Sequence, residues 1–301
     1  MSVLKSSRTW LTVCVALSTL LVAFVASGLG ASSRAGADPV PAYFYLDVGA
    51  SESLGFQPTP DTPHGVPTDE GYANDLVAYE AGRGIDLELT QVGCPGETTT
   101  TMLNGDDHCY GGVDTQLAAA MTFLSDHQDE QGIVTIDLGF NNVRRCLHRE
   151  VDDDACVDKQ LSDVRAELPL IVQSLKSVAG PGVTFVGLGH YDPYLAFELR
   201  GGPAVDFAHH SERVMDQLNG ILQYVYSSTG VAMADVDDYF DGKDRSPVTL
   251  AGVGTVPNNV AQICDLTWMC ASAPYGPDFH PDDEGYSTIT EAIKAVLPAP
   301  W

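Results

Sequence analysis

The chain has 301 residues, with 41 acidic side chains against 15 basic ones and a formal charge of −26. That length allows one large domain or two small ones. So acidic a surface repels phosphate backbones and anionic headgroups, which argues against nucleic acid as a partner.

Lys5 and Arg8 form a basic start, an apolar stretch runs from Trp10 to about Ala31, and Ala35-Gly36-Ala37 offers a small-residue cleavage site. This pattern predicts a secretory signal over residues 1–37. An uncleaved membrane anchor is the competing reading, because about 20 apolar residues can span a bilayer. The spacing of the small residues favours cleavage, and no later segment could span. Residues 38–301 then form one domain, secreted or held at the cell envelope.

Tyr43 to Val48 is short, aromatic and β-branched and predicts a buried first strand. A helix follows from about Asp69 to Ala81, then a second strand from Asp86 to Val92. Val113 to His127 places Leu117, Ala120, Met121 and Leu124 on one helical face. Ile133 to Leu138 is the third strand, Leu161 to Val178 a helix and Val183 to Leu188 the fourth strand. A long helix from about Phe207 to Tyr226 and a short strand from Val231 to Val236 come next. Asp241 to Pro277 reads as irregular, and a last helix covers Asp283 to Val296. Alternating strands and helices predict a parallel sheet with helices on both faces. Five strands in this order suit a flavodoxin-like three-layer α/β/α sandwich.

Of seven cysteines, Cys14 falls in the signal. The remaining six read as disulfides in an exported chain. Sequence proximity favours Cys94–Cys109, Cys146–Cys156 and Cys264–Cys270. A metal reading of Cys146, His148 and Cys156 is weaker, since no CxxC pair is present.

Four segments lie at the carboxyl ends of predicted strands or just before the last helix, where ligands collect in open α/β sheets. They are Gly49-Ala50-Ser51, Cys94-Pro95-Gly96-Glu97, Gly139-Phe140-Asn141-Asn142 and Asp278-Phe279-His280-Pro281. A serine on the first strand and an acid–histidine pair near the end are the parts of an activated hydroxyl nucleophile. Ser53 is a competing nucleophile without the Gly-x-Ser context. No Gly-x-Ser-x-Gly elbow follows a central strand, which disfavours a classical α/β-hydrolase.

In order and placement these segments resemble the SGNH hydrolase superfamily, also called the GDSL lipase/esterase family, and the wider segments Cys94–Thr99, Tyr191–Tyr194 and Thr267–Cys270 resemble its exported actinobacterial members. The resemblance implies Ser51 as nucleophile and His280 as base. It also implies an oxyanion hole of the Ser51 and Gly96 backbone amides and the Asn141 side chain. Three departures stand out. Ala50 replaces the acid of Gly-Asp-Ser, Asn142 replaces the aspartate of Gly-x-Asn-Asp, and Asp278 lies two residues before His280 where the family has three. Asp278 or a backbone carbonyl would therefore orient His280. Tyr191 and Tyr194, after the fourth strand, are candidates for a pocket wall.

The implied activity is hydrolysis of carboxylic esters through an acyl-enzyme on Ser51. A carbohydrate esterase or a cell-envelope acyltransferase would use the same step. A non-catalytic glycan- or lipid-binding protein on the same fold is the reading of a different class. The expected ligand is a small-molecule, lipid or glycan ester, with no metal, no organic cofactor and no stable protein partner.

Overall fold

The apolar run that opens the domain becomes β1, Tyr43–Gly49, and every position from Phe44 onward is buried. Burial on both faces explains a strand without polar alternation. A computed structural model describes residues 43–63, 65–105, 108–111, 114–148 and 151–301. The expected signal or anchor over residues 1–37 lies outside the described residues. Among the described residues, no helix is long and apolar enough to cross a membrane.

Strand β1 pairs in parallel with β2, Leu87–Gln91, and with β3, Gln131–Asp137. Strands β4, Val183–Leu188, and β5, Ala232–Ala234, continue the sheet beyond β3. The order β2-β1-β3-β4-β5 is the expected flavodoxin-like one. Helices α1, Tyr72–Gly82, and α9, Asp283–Val296, pack on each other. A second group contains α2, Thr99–Asn104; α3, Gln116–Asp126; α4, Phe140–Arg144; α5, Asp154–Val178; and α6, Pro203–Thr229. Right-handed crossovers from a sheet of this order place the two groups on opposite faces.

Several helices start where a side chain satisfies a free amide of the first turn. Thr115 caps α3, and Asp282 caps α9 by accepting the Gly285 amide at 3.0 Å. Asp153 caps α5, so that helix begins at Asp154, seven residues before the predicted Leu161. The stretch from Asp241 to Pro277 is more ordered than expected. After the short helix α7, Val236–Tyr239, it holds an antiparallel hairpin, Pro247–Leu250 with Gly254–Pro257, and α8, Asn258–Leu266. The two hairpin runs are only four residues each; Gly252 lies between them and Gly254 opens the second, both at positive φ. Such short runs carry little periodicity.

The disulfides are Cys94–Cys109, Cys146–Cys156 and Cys264–Cys270, as expected. Cys146 and Cys156 therefore have no thiolate to offer a metal. Each bridge braces a segment near the carboxyl edge of the sheet.

Candidate active site

Strand β1 ends at a clasp. The Gln116 amide accepts the Gly49 N–H at 2.8 Å, donates to the Gly49 carbonyl at 2.9 Å, and donates to Glu97 at 2.9 Å. With its last backbone groups taken, the chain turns. Gly49 also lies against β3, where an added Cβ would sit 2.6 Å from the Asp137 carbonyl oxygen. Ser51 then caps a single 3₁₀ turn, Glu52–Leu54, with φ −67° and ψ −33°, an unstrained backbone. Its carbonyl accepts the amides of Leu54 and Phe56 at 3.1 and 3.2 Å. Ser53 is buried and donates its hydroxyl to the Ala50 carbonyl at 2.8 Å. Its position is that of a turn residue.

The histidine arrives from the other end of the chain. Residues 278–282 are strapped along Leu266–Trp268. The Asp278 amide donates to the Trp268 carbonyl at 3.2 Å, Trp268 returns a bond to the His280 carbonyl at 3.1 Å, and Asp282 donates to Leu266 at 3.1 Å. The Cys264–Cys270 bridge closes this strap. His280 Nε2 lies 2.8 Å from Ser51 Oγ, and His280 Nδ1 lies 2.7 Å from Asp278 Oδ1. A carboxylate oxygen accepts, so Nδ1 carries the proton and the bare Nε2 faces the serine hydroxyl. That is the tautomer a general base requires. Asp278 Oδ1 also accepts the His280 backbone N–H at 3.0 Å. This Asx turn folds the tripeptide back, so a spacing of two residues brings the acid within reach. The alternative of an orienting backbone carbonyl is not what the geometry gives.

Asn141 is buried in the first turn of α4. Arg144 Nε donates to its Oδ1 at 3.0 Å. Arginine only donates, so this contact identifies Oδ1 and leaves the NH₂ group for the opposite side. Asn142 is structural: it accepts the Thr99 amide at 3.1 Å and donates to the Thr99 hydroxyl at 3.1 Å. Gly96 has φ +82°, a backbone that favours glycine, and its carbonyl accepts from Arg145 at 3.2 Å. A narrow cavity of about 10 Å³ lies beside Ser51 and is lined by Glu52, Glu97, Asp137, Asn141 and His190 among others. It has room for one atom-sized occupant. Ser51 and Asn141 line it together; Gly96 does not, although its neighbour Glu97 does.

Sequence reasoning missed Glu52, Asp137, His190 and Arg144. Burial pushes the Glu52 carboxyl well above the usual range, Asp137 adds repulsion, and the Tyr191 hydroxyl opposes the shift. Burial also raises Asp137, opposed by His190, the Ala50 and Ser53 amides and His280. Asp47, one layer deeper on β1, is pushed up to about 8 by burial against the Thr135 and Tyr72 hydroxyls. The signal available was an acid inside each of two otherwise apolar strands. Tyr191 is no pocket wall: it is buried, stacks on Phe240 and donates to the Phe279 carbonyl at 2.7 Å, with Glu52 at 3.1 Å. Tyr194 sits among Phe140, Phe197 and Phe207.

No family model matches the sequence, and no curated protein does either. Solved structures do match. An extracellular lipase from Streptomyces rimosus superposes with a TM-score of 0.56 at 17% identity, over 85% of this chain and 100% of the lipase. A phospholipase A1 from Streptomyces albidoflavus gives 0.53 at 16% identity, again over 85% of this chain and 100% of that one. The chain therefore has the fold of these two proteins.

Proposed function

We propose that the chain is a serine ester hydrolase of the SGNH type. The observation that carries this reading is the unbroken hydrogen-bond chain from Ser51 Oγ through His280 to Asp278. In the proposed cycle, the Ser51 hydroxyl gives its proton to His280 Nε2 as Oγ attacks the ester carbonyl carbon. The oxyanion forms beside Ser51 Oγ, with the Ser51 and Gly96 amides and the Asn141 NH₂ as candidate donors. His280 then protonates the departing alkoxide, leaving an acyl group on Ser51. Water repeats the sequence: it loses a proton to Nε2, attacks the acyl carbon and releases the acid as the proton returns to Ser51. Asp278 fixes the imidazole tautomer and stabilises the imidazolium throughout.

The fold shared with an extracellular lipase and a phospholipase A1 supports carboxylic esters as the substrate class. The signal pattern and three disulfides support an exported protein. A carbohydrate esterase that removes acetyl groups would use the same acyl-enzyme step. An acyltransferase would differ only in passing the acyl group to an alcohol instead of water.

Labelling with a fluorophosphonate probe tests the class. Wild-type protein should label on Ser51 and Ser51→Ala should not. Wild-type protein that never labels would make the chain a binding module on this fold. Turnover of nitrophenyl esters from acetyl to palmitoyl then ranks acyl length.

A further inference from the structure

We propose that Glu52, Asp137 and His190 bind one divalent transition-metal ion, with Zn²⁺ the best match. This departs from the sequence expectation of no metal, and it holds whether or not Ser51 is the nucleophile.

His190 Nε2 lies 3.1 Å from the Leu138 carbonyl oxygen. A carbonyl only accepts, so in the neutral ring the proton is on Nε2 and Nδ1 is bare. That bare nitrogen faces Asp137 Oδ1 at 3.7 Å, too far for a hydrogen bond. Metal-bound imidazoles are held this way, with the second ring N–H on a carbonyl. One ligand atom from each of the three residues lies within 4.8 Å of the others, and all three residues are buried. Tetrahedral bonds of about 2.1 Å separate ligand atoms by about 3.4 Å, close to the observed histidine–aspartate gap.

A second observation is independent of the cluster's composition. Asp137 Oδ2 is buried with no hydrogen-bond partner, although the residue lines the atom-sized cavity. Buried carboxylate oxygens are seldom left this way. Among the described residues, no lysine or arginine forms an ion pair with Glu52 or Asp137. A cation between the three converging groups would take up lone pairs that have no donor. One nitrogen with carboxylate oxygens suits Zn²⁺ better than Ca²⁺ or Mg²⁺, which prefer oxygen alone. The ion would tie the 3₁₀ turn after Ser51 to β3 and to the loop after β4.

The test uses untagged full-length protein purified without chelator. Elemental analysis should find about one zinc per chain. After treatment with EDTA, Tm should fall by several degrees and recover on adding ZnCl₂. Calorimetric titration with ZnCl₂ should saturate at one site, with CaCl₂ giving none. Glu52→Gln and His190→Gln should each weaken zinc binding by more than about 100-fold while circular dichroism stays native. If both variants fail to fold, the wild-type measurements decide alone. Wild-type protein with no bound zinc, no heat and no Tm response would overturn the proposal and leave protons shared by the two carboxyls as the neutralising charge. Stoichiometric zinc binding that survives in folded Glu52→Gln and His190→Gln would overturn it as well.

Discussion

The molecule holds two acid–histidine pairs near one serine, and they use opposite tautomers. In the Asp278–His280 pair the acid takes the proton on Nδ1 at 2.7 Å, and the bare Nε2 faces Ser51. In the Asp137–His190 pair a backbone carbonyl takes the proton on Nε2, and the bare Nδ1 faces the acid across 3.7 Å. The first pair can accept a proton from a hydroxyl. The second presents lone pairs inward and can hold a cation. Residue type alone does not separate them; the partner of the second ring nitrogen does.

The largest expected effect breaks the first pair outright. His280→Ala should lower kcat for ester hydrolysis by about 10⁶-fold, and Ser51→Ala/His280→Ala should be little worse than either single change. Steady-state kinetics on a nitrophenyl ester checks this. Independent, multiplying losses would show that Ser51 and His280 do not act as a unit. Next comes Asp278→Asn, which keeps the shape but allows the wrong tautomer. It should lower kcat by about 10⁴-fold with KM little changed. A loss of only a few-fold would mean that another group orients the ring.

A third prediction concerns the buried acids beneath the second pair. Asp47 has a folded pKa of about 8, against about 3.9 for an unfolded aspartate. Between those values the folded chain holds a proton that the unfolded chain has lost. Stability from this group is therefore full below about pH 4 and is lost as pH rises toward 8. At about 1.4 kcal/mol per pKa unit the swing is several kcal/mol. Denaturant melts at a series of pH values should show the decline, and Asp47→Asn should flatten it. An unchanged slope in Asp47→Asn would assign the pH dependence to other groups.

How far the sequence could be read follows the same division. Ser51, Asn141 and His280 each stand in a short motif at a strand end or helix start, so order along the chain was enough to bring them together. The five strands were legible because β1, β3 and β4 are nearly unbroken apolar runs. The Asp278 contact was not legible, because it depends on an Asx turn held against Leu266–Trp268 by backbone bonds. Glu52, Asp137 and His190 were missed because each looks like an ordinary neighbour of a motif or a blemish in an apolar strand. Their convergence is a property of the register, in which Gly49 pairs with Asp137 and carries the turn after it onto β3.

The smallest effect tests the donor side of the first pair's chemistry. Asn141 can stabilise an oxyanion only if its NH₂ group faces the carbon attacked by Ser51. Arg144 enforces that by occupying Oδ1 at 3.0 Å, while its guanidinium lies over the Phe279 ring at 4.8 Å. Removing the donor itself, in Asn141→Ala, should lower kcat by about 10²-fold. Arg144→Met keeps an apolar stem against Phe279 but frees the amide to rotate, so part of the population would present oxygen to the oxyanion. The expected loss is about tenfold in kcat, a fraction of the full donor effect. Because Arg144 acts through Asn141, adding Arg144→Met to Asn141→Ala should cost almost nothing further. A tenfold loss that persists in the Asn141→Ala background would place Arg144 in direct contact with substrate instead. A loss confined to KM would point the same way, since amide orientation matters most when the charge develops.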